Sequence, residues 1–490
     1  MHFIVKVFPE IIIKSPPVRR RFIKYLRDNL RSLLAEVEGR FDVQRDWEKI
    51  EITASDAGLD AESLARRDAQ VAEVLSHTPG IALFAAVKEY PLGDLQQIFE
   101  HTLDMWRDKL AGRTFCVRVK RNGDHDFSSG EVERYVGGGL VQHTVNGGVS
   151  LKSPDVTVRL EIKRDRLFVL SSQSAGLGGY PLGSQEAVLS LISGGFDSTV
   201  STYLTMKRGI RNHYCFFNLG GRAHEAGVKE VAYYLWQKYG ASHPVKFVTV
   251  PFEGVVKELI KHVSNAYMGV VLKRMMLRAA SQVARELKLP ALVTGESIAQ
   301  VSSQTLPNLN AIDAVTDMLV LRPLIVMDKG EIIDLSRRIG TETFAASMPE
   351  YCGVISVKPT TRARMDKVQW TEQQFDFAVL DAAIAARQIV DVRELAESVV
   401  SDCPVEVVSQ PPADAVIIDI RHPDEIALRP LRVADHKVQS IPFYSLNTQA
   451  QSLDANTRYY LYCEKGVMSQ LHASHLNDDG RGNIGVYRPH

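Results

Sequence analysis

Cysteine is scarce in this chain. Five residues, Cys116, Cys215, Cys352, Cys403 and Cys463, are scattered through 490 positions. An odd, widely spaced set does not make a disulfide scaffold, and a reducing cytoplasm suits it best. No two form a CxxC pair, which argues against zinc and against a three-cysteine iron–sulfur cluster, so no metal site built from protein ligands alone is expected. Net charge is also missing: 58 Lys and Arg balance 58 Asp and Glu. Any nucleic-acid site must therefore be a local patch. No apolar run is long enough to span a membrane. The opening MHFIVKVFPEIIIK carries charges inside its apolar stretch, unlike a signal peptide. Repeats and low-complexity tracts are absent, and the length calls for three or four domains.

What is present is most informative at SLISGGFDSTV, residues 190–200. The residues up to Ile192 read as a buried strand and those from Thr199 as a helix, so two glycines, an acid and two hydroxyls fall in the turn between them. Glycines there let backbone N–H groups approach a ligand, and the helix N-terminus adds a positive field. An ordinary capped turn is the bland alternative. The chain lacks the Lys-Ser/Thr ending of a Walker loop and has Asp197 instead, which repels phosphate unless magnesium lies between them. SGGFDS resembles the signature of the PP-loop ATP pyrophosphatases, which cleave ATP to AMP and pyrophosphate and leave an acceptor oxygen adenylated. Around it, Val188–Ile192, Asn212–Leu219, Val245–Pro251 and Ala291–Gly295 read as strands alternating with helices, hence a parallel sheet.

The first part of the chain reads as α+β, with strands at Phe3–Val7, Lys49–Thr53, Thr114–Lys120 and Asp155–Leu170 and a basic helix at Val18–Leu34. Lys14, Arg19, Arg20, Arg21, Lys24, Arg27 and Arg31 form one basic cluster; Arg113, Arg118, Lys120, Arg121 and His125 form another. Such clusters are often solvated faces, but they could neutralise RNA phosphates. Residues 63–168 resemble the THUMP domain, an RNA-binding module of tRNA-modifying enzymes, through VERYVGGGL and PDVTVRLEIKRDRLFVL. The Gly/Ser-rich stretch 171–186 reads as a linker, as does SQPPAD at 409–414.

In YLYCEKGVMS a strand runs into Cys463, then a loop and a helix. A thiol facing loop N–H groups and a helix N-terminus is biased toward thiolate, although a buried structural cysteine is the commoner case. With AVIIDIRHPDE upstream, the segment resembles a rhodanese domain, in which Asp419 and Arg421 hold the loop. Met468 stands where the pattern has arginine, which favours sulfur relay from a protein donor over thiosulfate.

The order of these parts resembles the bacterial tRNA 4-thiouridine synthetases in their rhodanese-bearing form, which also take part in thiamine biosynthesis. The resemblance implies a multidomain α/β and α+β chain: a ferredoxin-like segment at 1–62, THUMP at 63–168, a Rossmann-like PP-loop domain at 187–400 and a rhodanese-like α/β domain at 412–490. It implies ATP and Mg2+ as cofactors and adenylation of uridine 8 of tRNA, followed by sulfur transfer. Leu191, Ile192, Ser193, Gly194, Gly195, Asp197, Ser198, Lys273, Gly295 and Gln304 would bind the nucleotide, with Asp197 on magnesium and Lys273 balancing charge. Lys329 would act in transfer, Cys463 would carry the persulfide and Cys352 would be the second thiol. Implied partners are tRNA, a cysteine desulfurase as donor and a thiazole sulfur-carrier protein; a homodimer stays open. Two other readings remain: a relay serving thiazole synthesis alone, and a PP-loop ligase adenylating a carboxylate.

Overall fold

The computed structural model describes residues 2–45, 49–171, 173–219, 221–348, 358–395, 405–421, 423–433, 436–442, 446, 449–450, 452–454, 456–463, 467–478 and 480–489. The chain divides into two compact units, Met1–Ser184 and Gln185–His490.

The first unit runs β1 (His2–Val7), α1 (Pro9–Ile12), α2 (Pro16–Leu34), β2 (Phe41–Arg45), β3 (Lys49–Ala54), α3 (Ala61–His77), β4 (Ile81–Pro91), α4 (Leu95–Trp106), β5 (Phe115–Asn122), α5 (Ser129–His143), β6 (Val156–Lys163), β7 (Arg166–Leu170) and β8 (Ser174–Ala175). The sheet has the order β2-β3-β1-β4-β7-β6-β5, with β8 also on β4. The long strand β4 makes one sheet of two halves: residues up to Ala86 pair with β1, and Val87–Pro91 pair with β7. Each half has its own core, one built around Leu26, Leu30 and Ile50, the other around Trp106, Phe115 and Val136. The expected boundary at residue 62 falls inside α3, whose Val71 and Leu75 belong to the first core.

Two expectations need correction here. Asp155–Leu170 is a hairpin of two strands, because Arg164 takes φ 53° in a polar turn that breaks the run. The stretch 171–186 is no free linker within its described residues. Tyr180 and Leu182 are buried, Leu182 O accepts from Asn29 Nδ2 at 2.9 Å, and Gly178 O accepts from Gly80 N at 2.8 Å. Its apolar anchors outweigh the flexibility that glycine and serine suggest.

The second unit begins β9 (Val188–Leu191), α6 (Phe196–Lys207), β10 (Asn212–Asn218), α7 (Gly221–Leu235), β11 (Lys246–Pro251), α8 (Glu253–His262), α9 (Met268–Glu286), β12 (Ala291–Val293), α10 (Leu306–Asp313), β13 (Leu319–Leu321), α11 (Lys329–Ile339), α12 (Glu342–Ser347), α13 (Met365–Glu372), α14 (Phe377–Ala385) and β14 (Gln388–Asp391). These strands form one sheet in the order β13-β12-β9-β10-β11-β14, parallel except for β14. Strands β13 and β14, three and four residues long, were not read in the sequence. Because β10 and β12 flank β9 on opposite sides, the chain direction of winding reverses at β9. A crevice opens at the carboxyl end of such a strand.

The remainder is a second parallel sheet in the order β15-β19-β18-β16-β17. It comprises β15 (Val407–Val408), β16 (Val416–Asp419), α15 (Pro423–Leu428), β17 (Lys437–Ser440), β18 (Tyr459–Tyr462), α16 (Val467–Asp478) and β19 (Ile484–Tyr487). SQPPAD therefore joins two strands of one sheet, since β15 pairs with β19. It is a connection inside this domain and not the interdomain linker that its prolines suggested.

Candidate active site

Strand β9 delivers the glycine turn to the mouth of the crevice. Ile192 N still bonds Cys215 O at 2.9 Å, and then the backbone turns with Gly194 at φ +82°. Gly195 is the N-cap of α6 and offers no side-chain cap. The first-turn N–H groups of α6 have no acceptor within the helix, as at every helix start. The turn is braced from inside: Ser193 N donates to Ser198 Oγ at 3.2 Å, which donates to Gly195 O at 3.2 Å. On the other side, the ring of His224 lies 3.3 Å from Ser193 O. Burial lowers the pKa of His224, with the Ser193 contact opposing. Gly295, just after β12, explains itself sterically: a Cβ there would lie 2.7 Å from the carbonyl carbon of Asp197. These features leave a bare, positively polarised cradle that suits phosphate.

Asp197 lies in the first turn of α6 and accepts on both oxygens. Lys329 Nζ donates to Oδ1 at 2.8 Å, and Gln300 Nε2 donates to Oδ2 at 2.7 Å. Lys329 opens α11, whose start is fixed by the capping box of Asp328 and Glu331, and its ammonium also lies 5.3 Å from the ring of Phe196. Gln300, in a loop, and His224, on α7, were not foreseen: strand order brings both to the turn, and neither lies in a motif.

The other expected nucleotide residues surround this turn. Leu191 ends β9 half-buried and Ile192 is buried. Gln304 is buried and its Oε1 has no hydrogen-bond partner, so a donor is wanted there. Lys273, expected to balance charge at the nucleotide, pairs with Glu296 Oε1 at 3.3 Å. Arg322 holds the other oxygen of Glu296 at 2.9 Å, and Thr294 Oγ1 donates to it at 2.5 Å. Burial alone would raise the pKa of Glu296, but Lys273, Arg322 and Thr294 together hold its carboxyl below the usual range. Lys273 thus sits next to Gly295 in the chain's fold, anchored through the adjacent residue. Among the described residues no three His, Cys, Asp or Glu side chains could hold a metal ion.

Cys463 follows β18 directly. It is buried, and Ser469 N in the first turn of α16 donates to its Sγ at 3.4 Å. Arg421 grips Asp419 with Nε–Oδ1 at 2.9 Å and Nη2–Oδ2 at 2.6 Å, and its guanidinium lies 5.0 Å from the ring of Tyr462. This buried pair braces the strand end that bears the thiol. Cys215 is buried in β10 and its thiol is pushed up to about 12, and Cys116 is buried in β5. Cys352 and Cys403 lie outside the described residues.

In the first unit, α2 buries Phe22, Ile23, Leu26 and Leu30 and leaves Arg20, Arg21, Lys24 and Arg31 outward. Lys14, just before it, and Arg113, Arg118 and Lys120, in and beside the edge strand β5, are also exposed. Some of this charge is spent locally: Arg27 pairs with Asp28 at 2.6 Å, and Arg121 meets His125 at 3.0 Å. No helix among the described residues is long and apolar enough to cross a membrane.

Known families match in the same order as these parts. The ThiI ferredoxin-like domain matches residues 2–85, the THUMP domain 93–171, and the family described as thiamine biosynthesis protein (ThiI) 183–377. The tRNA sulfurtransferase of Saccharophagus degradans is 52% identical over 100% of both chains, and that of Azotobacter vinelandii 53% over 100% of both. A crystal structure of a 4-thiouridine synthetase–RNA complex with bound ATP superposes with a TM-score of 0.68 at 25% identity, covering 80% of this chain and 99% of that one. PH1313 from Pyrococcus horikoshii shares the fold over 69% of this chain, with a TM-score of 0.51 and 19% identity.

Proposed function

Because this chain belongs to the tRNA sulfurtransferase family, we propose that its glycine turn uses ATP to adenylate O4 of uridine 8 in tRNA and that Cys463 then supplies the sulfur. The observation that carries this reading is the uncapped start of α6 with Asp197, Lys329 and Gln300 gathered on it. A carbonyl oxygen is a poor leaving group, and as part of AMP it becomes a good one. Uracil O4 attacks the α-phosphorus and pyrophosphate departs. The first-turn N–H groups and Lys329 stabilise the charge that develops there. One carboxylate suits an Mg2+ ion held largely by phosphate and water, so Asp197 would share it with the nucleotide, where the ion would neutralise charge.

The C-terminal sheet, read as rhodanese-like, carries sulfur as a persulfide on Cys463. A cysteine desulfurase is the donor in this reading. The terminal sulfur attacks C4 and AMP leaves with the former O4. Cys352 then attacks Cys463 Sγ, which breaks the S–S bond to the substrate sulfur. This releases 4-thiouridine and leaves a Cys352–Cys463 disulfide for an external dithiol to reduce. The same persulfide would serve a thiazole sulfur-carrier protein. The exposed arginines and lysines of α2 and β5 would contact tRNA phosphates.

Oxygen labelling tests the adenylation. With tRNA carrying 18O at O4 of uridine 8, the AMP formed should contain the label. Unlabelled AMP would show that the acceptor lies elsewhere, as in a carboxylate ligase.

A further inference from the structure

Helix α7 carries three contacts at every third residue on its way from the glycine turn. His224 meets Ser193 O at 3.3 Å. At Gly227 a side chain would collide with Met348, since its Cβ would lie 3.1 Å from Sδ and nearer still to the methyl group; Met348 also lies against Gly194. Glu230 Oε1 meets His472 Nε2 of α16 at 3.3 Å, and both side chains are buried. His472 stands one turn after Ser469, whose N–H bonds Cys463 Sγ. Six residues of helix span about 9 Å. Within that length α7 touches the turn, the residue preceding the 349–357 segment that includes Cys352, and the helix that follows Cys463.

We propose that α7 is the docking surface on which the C-terminal sheet domain seats its α16, with Glu230 and His472 as the registering pair. This rests on the sulfur-transfer reading above. A docking surface between two folded parts needs a device that fixes register, because apolar contact alone is non-directional. A buried carboxyl–imidazole pair is such a device, and breaking it from one side is costly. Burial pushes the Glu230 carboxyl up to about 8, so at neutral pH it is largely protonated and no naked carboxylate is buried. Seating α16 here brings the helix whose first turn donates to Cys463 Sγ against the helix that buttresses the glycine turn.

Hydrogen exchange by mass spectrometry on the full chain tests this, together with two activity readouts. Glu230→Lys should raise exchange at least tenfold in α7 and α16 while leaving β16 to β19 protected. AMP formation with tRNA should stay within twofold of wild type, and 4-thiouridine formation should fall at least tenfold. The double variant Glu230→Leu/His472→Leu, which replaces the polar pair by an apolar one, should restore protection and thiolation. If Glu230→Lys also loses AMP formation, its PP-loop fold is disturbed, and His472→Glu then places the repulsion from the other side with the same expected outcomes. Unchanged exchange in α7 and α16, or unchanged thiolation in the single variants, would overturn the proposal. A wild-type chain that makes no 4-thiouridine would instead refute the parent reading, and the exchange data would still decide the docking.

Discussion

Asp197 was legible from the sequence because an acid is the wrong residue for a phosphate turn unless a cation accompanies it. Its partners were not legible. Lys329 lies 132 positions away, and only the strand order that puts β9 between β10 and β12 brings α11 to it. Gln300 belongs to a loop in which Ala299 takes φ +61°, a conformation no periodicity announces. Asp197→Ala should therefore lower AMP formation on the order of 10²–10³-fold, as loss of one preorganised charge contact does, while the fold survives. Gly295→Ala should cost both stability and ATP use, because its methyl group meets Asp197 backbone that cannot move aside. Glu296 gives a pH prediction. Its carboxyl titrates below the ordinary value of 4.5 in the folded chain, so the stabilisation is complete above that value and is lost as pH falls through the folded one. Acid unfolding followed by circular dichroism should be shallower in Glu296→Gln over that range, although the variant is less stable at neutral pH.

At the scale of elements, alternation and composition revealed the parallel sheet and the α+β start, and misjudged the connections. Glycine and serine count as flexible in a sequence, but Tyr180 and Leu182 strap 173–184 onto the first unit. Prolines at 411–412 suggested a linker, yet β15 lies before them in the same sheet as β19. A fragment of residues 1–184 should fold, whereas one ending at 171 should lose about 2–5 kcal/mol in chemical denaturation, the range for emptying sites of large apolar side chains. The folded fragment should bind tRNA without ATP. Its affinity should fall linearly in log–log salt plots, and substituting Arg20, Arg21 and Lys24 together should reduce that slope. A salt-independent affinity would place the RNA footprint away from α2.

At the scale of the molecule, the order of parts was legible because each has its own local signature. How the chemistry passes between them was not, because cysteines far apart in sequence carry no mark of a shared task. Thiolation by this route requires an activating turn and a sulfur carrier on one chain. Peptide mapping after a single turnover without reductant should find Cys352 joined to Cys463, and recovery of both as thiols with 4-thiouridine formed would remove Cys352 from the mechanism. Nucleoside mass spectrometry of unmodified tRNA, incubated with the purified chain, ATP, cysteine and a cysteine desulfurase, tests both halves together. 4-Thiouridine should form with the wild-type chain, on the order of 10²–10³-fold more slowly with Asp197→Ala, and not at all with Cys463→Ala. Wild-type yields of 4-thiouridine from either variant, or none from the wild-type chain, would contradict this route.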